Sequence, residues 1–118
     1  VAVKRIVSNI AANEIGTARI FYGEVLGLDV VMDHGWILTF AAPGATATPQ
    51  ISVASEGGSG TPVPDISVEV DDLEDVLRRA VKTGFSIDYG PVDEPWGVRR
   101  FFLRDPFGRL VNVLMHRD

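Results

Sequence analysis

The chain has 118 residues, enough for one domain or two small halves sharing a core, and 46% of them are hydrophobic, too many for a disordered chain. Sixteen acidic residues against eleven basic ones give a formal charge of −5, and beyond Arg78-Arg79 and Arg99-Arg100 no basic cluster suited to nucleic acid exists. Cysteine is absent, which excludes disulfides, thiolate nucleophiles and cysteine-based zinc or iron–sulfur sites.

The first residues, VAVKRIVSN, lack the apolar core of a secretory signal, and no apolar run reaches the ~20 residues that cross a bilayer; the expectation is a cytoplasmic protein with no membrane partner. Val3–Ile10 alternates and predicts a strand. Asn13 can cap a helix from about Glu14 to Leu26, whose apolar face would hold Ile15, Ala18, Phe21, Tyr22, Val25 and Leu26, with Gly27 as its stop. Three strands are predicted next, Asp29–Met32, Trp36–Ala41 and Gln50–Ala54, with a turn at Asp33-His34-Gly35 and a small-residue loop over Pro43–Pro49. The run Glu56–Pro62 has the composition of a linker.

The same order then recurs. Ile66–Val70 predicts a strand, and Asp71 with Glu74 three residues on suggests a capping box for a helix burying Leu73, Val76, Leu77, Ala80 and Val81, stopped by Gly84. Phe85–Asp88, Val98–Arg104 and Leu110–Met115 complete the set, the last two joined by a tight turn at Asp105-Pro106-Phe107-Gly108. Both halves therefore read β-α-β-β-β: module one over 1–55, a linker over 56–63 and module two over 64–118. The fold class this implies is α+β, two βαβββ modules forming curved mixed sheets around a cavity. Strand parity puts Ile66, Val68 and Val70 on the helix side and Asp65, Ser67 and Glu69 on the other; likewise Ile51 and Val53 oppose Gln50, Ser52 and Ala54, and Val111, Val113 and Met115 oppose Leu110, Asn112 and Leu114.

FYGEVLGL in the first module and RDPFGRLVNV in the second, within a duplicated βαβββ unit, resemble the vicinal oxygen chelate superfamily of glyoxalases, bleomycin-resistance proteins and extradiol dioxygenases. The resemblance spans nearly the whole chain. It implies a metal held by His, Glu or Gln at four positions, which here fall on Val7, Ser52 (or Gln50), Asp65 and Asn112. Only Asp65 among these is a charged ligand, and Val7 has no lone pair, so the expectation is no metal and no cofactor. His34, in a predicted turn, and His116, near the end of the sequence, match none of the four positions. No histidine is placed to activate a serine.

Glu94–Phe101 leading into Leu103–Pro106 looks like the corresponding strand and turn of the bleomycin-resistance branch, whose members hold a flat cationic drug at a dimer interface without transforming it. By that resemblance this chain is expected to be a homodimer binding a flat aromatic small molecule, cationic or neutral, with antibiotic resistance or sequestration as the outcome and no catalytic residues. The candidate ligand-binding residues are Trp36, Phe40, Ser52, Asp65, Ser67, Trp96, Arg100, Phe102 and Asn112. Tryptophan faces stack on flat ligands and attract cations, at about 0.5–2 kcal/mol per contact. Each candidate has a plainer role open to it: Trp36 as core, Trp96 as a loop anchor, Asp65 as a solvated strand start, and Arg99 or Arg100 as half of a surface ion pair. A metal-dependent lyase, isomerase or dioxygenase and a ligand-free structural module stand as the alternatives.

Overall fold

The structure is a computed structural model that describes residues 2–42 and 49–117; the loop expected over Pro43–Pro49 lies outside these residues but for Pro49. Two compact units emerge, one of residues 7–63 and one of 64–117 with 2–6.

In the first unit, strands β1 (Val3–Ala11, from Val7 on), β2 (Asp29–Asp33), β3 (Ile37–Ala41) and β4 (Gln50–Ala54) form the order β2-β3-β4-β1, with β1 parallel to β4 and the other pairings antiparallel. Between β1 and β2 the chain winds as a 3-10 turn, Ile15–Thr17, and then a π-helical stretch, Arg19–Val25, where a regular helix with an Asn13 cap was expected. Its closing bonds are long-stepped: Leu26 N–H donates to the Phe21 carbonyl and Leu28 N–H to that of Tyr22. The changed winding splits the expected apolar face. Ala18, with Ile15 and Tyr22, packs onto Leu38, Phe40 and Val53, while Phe21, Val25 and Leu26 are exposed.

In the second unit β5 (Ile66–Val70), β6 (Ile87–Glu94), β7 (Val98–Arg104) and β8 (Leu110–His116) run in the order β5-β8-β7-β6, again with one parallel pair, β5 with β8. Helix α1 (Leu73–Lys82) lays Leu73, Val76 and Leu77 over Val68, Val70, Phe101, Leu103, Val111 and Val113. Its cap is Asp72, whose side chain accepts the Asp75 amide at 3.1 Å, not Asp71. Asp71 is held elsewhere, exchanging backbone and side-chain bonds with Ala2. The Asp105 turn forms as its sequence predicts: one carboxylate oxygen accepts the amides of Phe107 and Arg109 at 2.8 and 2.9 Å.

The run read as a linker is folded. Gly57 N–H donates to the Thr61 carbonyl, Thr61 donates from both N–H and hydroxyl to Gly58, and Glu56 accepts the Gly60 amide. A side chain at Gly57 would collide with the Pro62 carbonyl and the Thr61 hydroxyl, so glycine is required there. The strand expected over Phe85–Asp88 also differs. It begins at Ile87 and continues to Glu94, straight through Gly90-Pro91, because those residues form a bulge and not a stop.

Candidate functional site

The bulge builds the site. In a regular strand, Tyr89 and Glu94 are five residues apart and face opposite ways. Pairing β6 against β7 puts Tyr89 opposite Phe102 but Val92 opposite Arg100, so one extra residue lies between them, at Gly90-Pro91. Tyr89, Glu94, Arg100 and Phe102 thereby share the face turned away from α1. Gly90 has φ +79, and a side chain there would come within 2.6 Å of the Arg100 carbonyl, so the close approach of β6 to β7 depends on glycine.

Arg100 is the centre of this face. Its Nε donates to Glu94 Oε2 at 2.7 Å and its Nη2 lies 2.6 Å from the same oxygen; both side chains are only 3% exposed. Tyr89 Oη donates to that oxygen too, at 3.0 Å. The guanidinium carbon stands 4.7 Å from the ring centre of Phe102, 4.9 Å from that of Trp96 and 5.4 Å from that of Tyr89. Trp96 is brought there by the turn between β6 and β7, where Pro95 fixes the backbone and Gly97 N–H donates to the Glu94 carbonyl. Arg99, one residue earlier, faces the helix side. There the Glu74 hydrogen bond, then that of Asp93, hold its pKa above the ordinary arginine value.

One step along the sheet, Asn112 is paired laterally with Phe102 on β7 and Ser67 on β5. Its Nδ2 donates to Ser67 Oγ at 3.1 Å, whereas its Oδ1 has no hydrogen-bond partner among the described residues. Farther along, Glu69 sits between Arg5 Nε at 3.0 Å and His116 Nδ1 at 2.9 Å, so His116 is tied to the sheet and not a loose tail residue.

Of the expected binding residues, Ser67, Trp96, Arg100, Phe102 and Asn112 therefore lie on one face of the second unit, where Phe102, Arg100 and Asn112 are buried and Trp96 and Ser67 are partly exposed. The other four do not join them. Phe40 is fully buried on the helix side of the first unit, packed on Tyr22, because its register partner is Ile51 and not Ser52; the pocket-wall role expected of it is corrected to core. Ser52 lies on the helix-free face of the first unit, with its hydroxyl 2.7 Å from that of Thr39. Trp36 is half-buried before β3 and stacks on His34. Asp65 closes the start of β5, exchanging backbone and carboxylate bonds with Leu110. Glu94 and Tyr89 are the members of this cluster that parity missed. The signal for them was the Gly90-Pro91 pair inside a strand-like run, which marks a bulge.

The metal that the family resemblance implies does not fit these residues. Val7 is apolar, the Ser52 hydroxyl is bonded to Thr39, an Asp65 oxygen is bonded to a backbone amide, and Asn112 offers a neutral amide. No three His, Asp or Glu side chains converge as a metal site among the described residues. A groove of about 240 Å³ lined by Phe85, Leu103, Arg104, Asp105, Pro106 and Val111 is apolar and shares no residue with the Arg100 cluster.

A Streptomyces sp. (strain C5) protein named anthracycline biosynthesis protein DauV is 34% identical over 111 residues, which cover 92% of this chain; the chain spans 40% of that relative's length. Among solved structures, one described as NAD-dependent benzaldehyde dehydrogenase from Legionella pneumophila superposes with a TM-score of 0.75 at 11% identity, covering 96% of this chain and all of that one. A glyoxalase/bleomycin resistance protein/dioxygenase superfamily member from Vibrio splendidus 12B01 superposes with a TM-score of 0.67 at 16% identity, covering 98% of this chain and 99% of that one. At such identities the structures show a shared fold and nothing further. The family profile matches residues 3–113, and with it the chain belongs to the Glyoxalase/Bleomycin resistance protein/Dioxygenase superfamily.

Proposed function

We propose that this protein binds a flat, partly apolar aromatic molecule, neutral or cationic, without a metal and without transforming it, and that sequestration of that molecule is its role. The observation that carries the reading is the cluster on the second unit: three aromatic rings held around a guanidinium whose charge Glu94 balances. Arg100 and Phe102 are buried in this cluster, and the half-buried Trp96 and Tyr89 are its rings nearest solvent. Stacking on a fixed ring avoids most of the ordering cost that a mobile side chain would add. The acidic balance of the chain favours a guest that carries positive charge. The similarity to a protein of anthracycline biosynthesis supports the same class, since anthracyclines are flat fused-ring aromatics. Residues at the family's metal positions that cannot form a transition-metal site support binding over metal-dependent chemistry. The reading includes a homodimer, which light scattering on the eluting protein checks.

The test uses the Trp36→Phe protein, so that emission reports Trp96 alone. Titration with neutral and cationic flat aromatics is expected to quench it in a saturable way. No quenching by any of them would end the proposal. Metal analysis of protein purified without chelator is expected to find far less than one divalent metal per chain; a tightly held stoichiometric ion would overturn the metal-free part.

A further inference from the structure

The π-helical stretch Arg19–Val25 and its closing residue Leu26 leave four large apolar side chains, Ile20, Phe21, Val25 and Leu26, each more than half exposed. Apolar side chains scattered singly over a surface need no explanation, but these four are gathered. At 3.6 residues per turn they would spread over about two thirds of the helix circumference. The wider turn, closed by the bond from Leu26 N–H to the Phe21 carbonyl, draws them into about a third of it. The other side of the stretch, with Ala18 and Tyr22, faces the core of the unit. What results is an apolar stripe, with the exposed side chains of Arg19 and Glu24, five residues apart, along one edge.

We infer that this stripe is where two copies of the chain meet, helix against helix and antiparallel about a two-fold axis; this rests on the homodimer included in the reading above. A two-fold axis sets the same patch of both copies together, and an apolar stripe is complementary to itself. The charges select the second copy and its direction. Antiparallel packing brings the Arg19 end of one stretch to the Glu24 end of the other, and the axis keeps the charged edges on one side. Each Arg19 then lies beside the partner's Glu24, twice in the dimer. A parallel pair would put the two charged edges on opposite sides and gain nothing from them. Arg19 already holds Asp33 at 2.9 Å through Nη2, and a guanidinium has further donors for a second carboxylate. Four side chains per copy fall short of the roughly 800 Å² per partner of a standard interface, so monomer and dimer exchange and the dimer grows with concentration.

Sedimentation velocity of the unaltered protein, from micromolar to millimolar concentration, is expected to show monomer passing into dimer. Val25→Lys puts a charge into the stripe at an exposed position, and should raise the dissociation constant about tenfold or more while the urea midpoint stays unchanged. Glu24→Arg and Arg19→Glu should each weaken self-association several-fold, since each sets like charges side by side across the axis. An equimolar mixture of these two variants should associate again, because every pair across the axis is then of opposite sign. A fluorescent label on one of them identifies the mixed dimer. If Val25→Lys dimerises as well as the unaltered protein, or the mixture associates no better than its components, the inference is wrong while the homodimer stands. A protein that stays monomeric up to millimolar concentration would overturn the inference and the homodimer together. Quenching of Trp96 tests ligand binding by itself, so that part of the reading survives or falls separately.

Discussion

The two units have the same strand order, and their registers match residue for residue across the helix-free face. In the first, the row runs Met32, Thr39, Ser52, Asn9; in the second, Tyr89, Phe102, Asn112, Ser67. Even a bulge recurs, between Val30 and Met32 in β2 and between Ile87 and Tyr89 in β6. The fillings differ. The first row places two hydroxyls against each other and satisfies them. The second carries an aromatic pair, an amide with an unmatched oxygen and, next to them, a buried ion pair. The second irregularity in β6, at Gly90-Pro91, makes the difference possible, since it turns Glu94 onto the face where Arg100 stands. The two units share a backbone plan, and the extra residue in β6 goes with their difference in chemistry.

The comparison can be broken most sharply at the ion pair. Glu94→Ala leaves Arg100 buried without its counter-charge and is expected to cost about 3–5 kcal/mol in urea unfolding, most of it recovered when Arg100→Met is added. If the double variant is as unstable as the single one, the pair is not what holds this face together. Phe40→Ala, in the first unit's core, should cost a similar 3–5 kcal/mol yet leave ligand affinity at Trp96 unchanged after allowance for folding. An altered affinity would return Phe40 to the binding site. Gly90→Ala forces a side chain toward the Arg100 carbonyl at a left-handed position and is expected to cost about 2–3 kcal/mol, against about 1 kcal/mol or less for Gly27→Ala, where φ is also positive but no atom lies within 4 Å. Equal losses would mean that the bulge adds nothing beyond backbone strain. The smallest contrast is within the matched row: Ser52→Ala strands the Thr39 hydroxyl and should cost about 1–2 kcal/mol, while Asn112→Leu should shift stability by less than about 1 kcal/mol because one of its polar ends is already unmatched.

Much of this fold was legible from residues alone. Period-two alternation assigned the faces of β4, β5 and β8 correctly, because each of those strands is regular and buries one face on a helix. Asp105-Pro106-x-Gly108 specified its turn through local chemistry, which needs no tertiary partner. Features decided by distant contacts were not legible. The expected cap was Asp71, but its bonds to the Ala2 backbone hold it elsewhere, and Asp72 caps the helix instead. Phe40 has the composition of a pocket wall, and only the register against Ile51 places it in the core. Three of the five site residues that gather on the second unit, Ser67, Phe102 and Asn112, lie on unbroken strands. The residues that organise the site, Tyr89 and Glu94, needed the bulge to be recognised.

The folded turn over Gly57–Thr61 has a consequence for how two copies of this chain can associate. A flexible tether would let one copy lend its second half to another at little cost. Here four hydrogen bonds, from Gly57, Gly60 and twice from Thr61, would have to open before the tether could straighten, and Gly57 leaves no room for another residue to take its place. If copies of this chain exchange halves, opening this turn is part of the cost, and Thr61→Ala, which removes one of the four bonds, is expected to lower it.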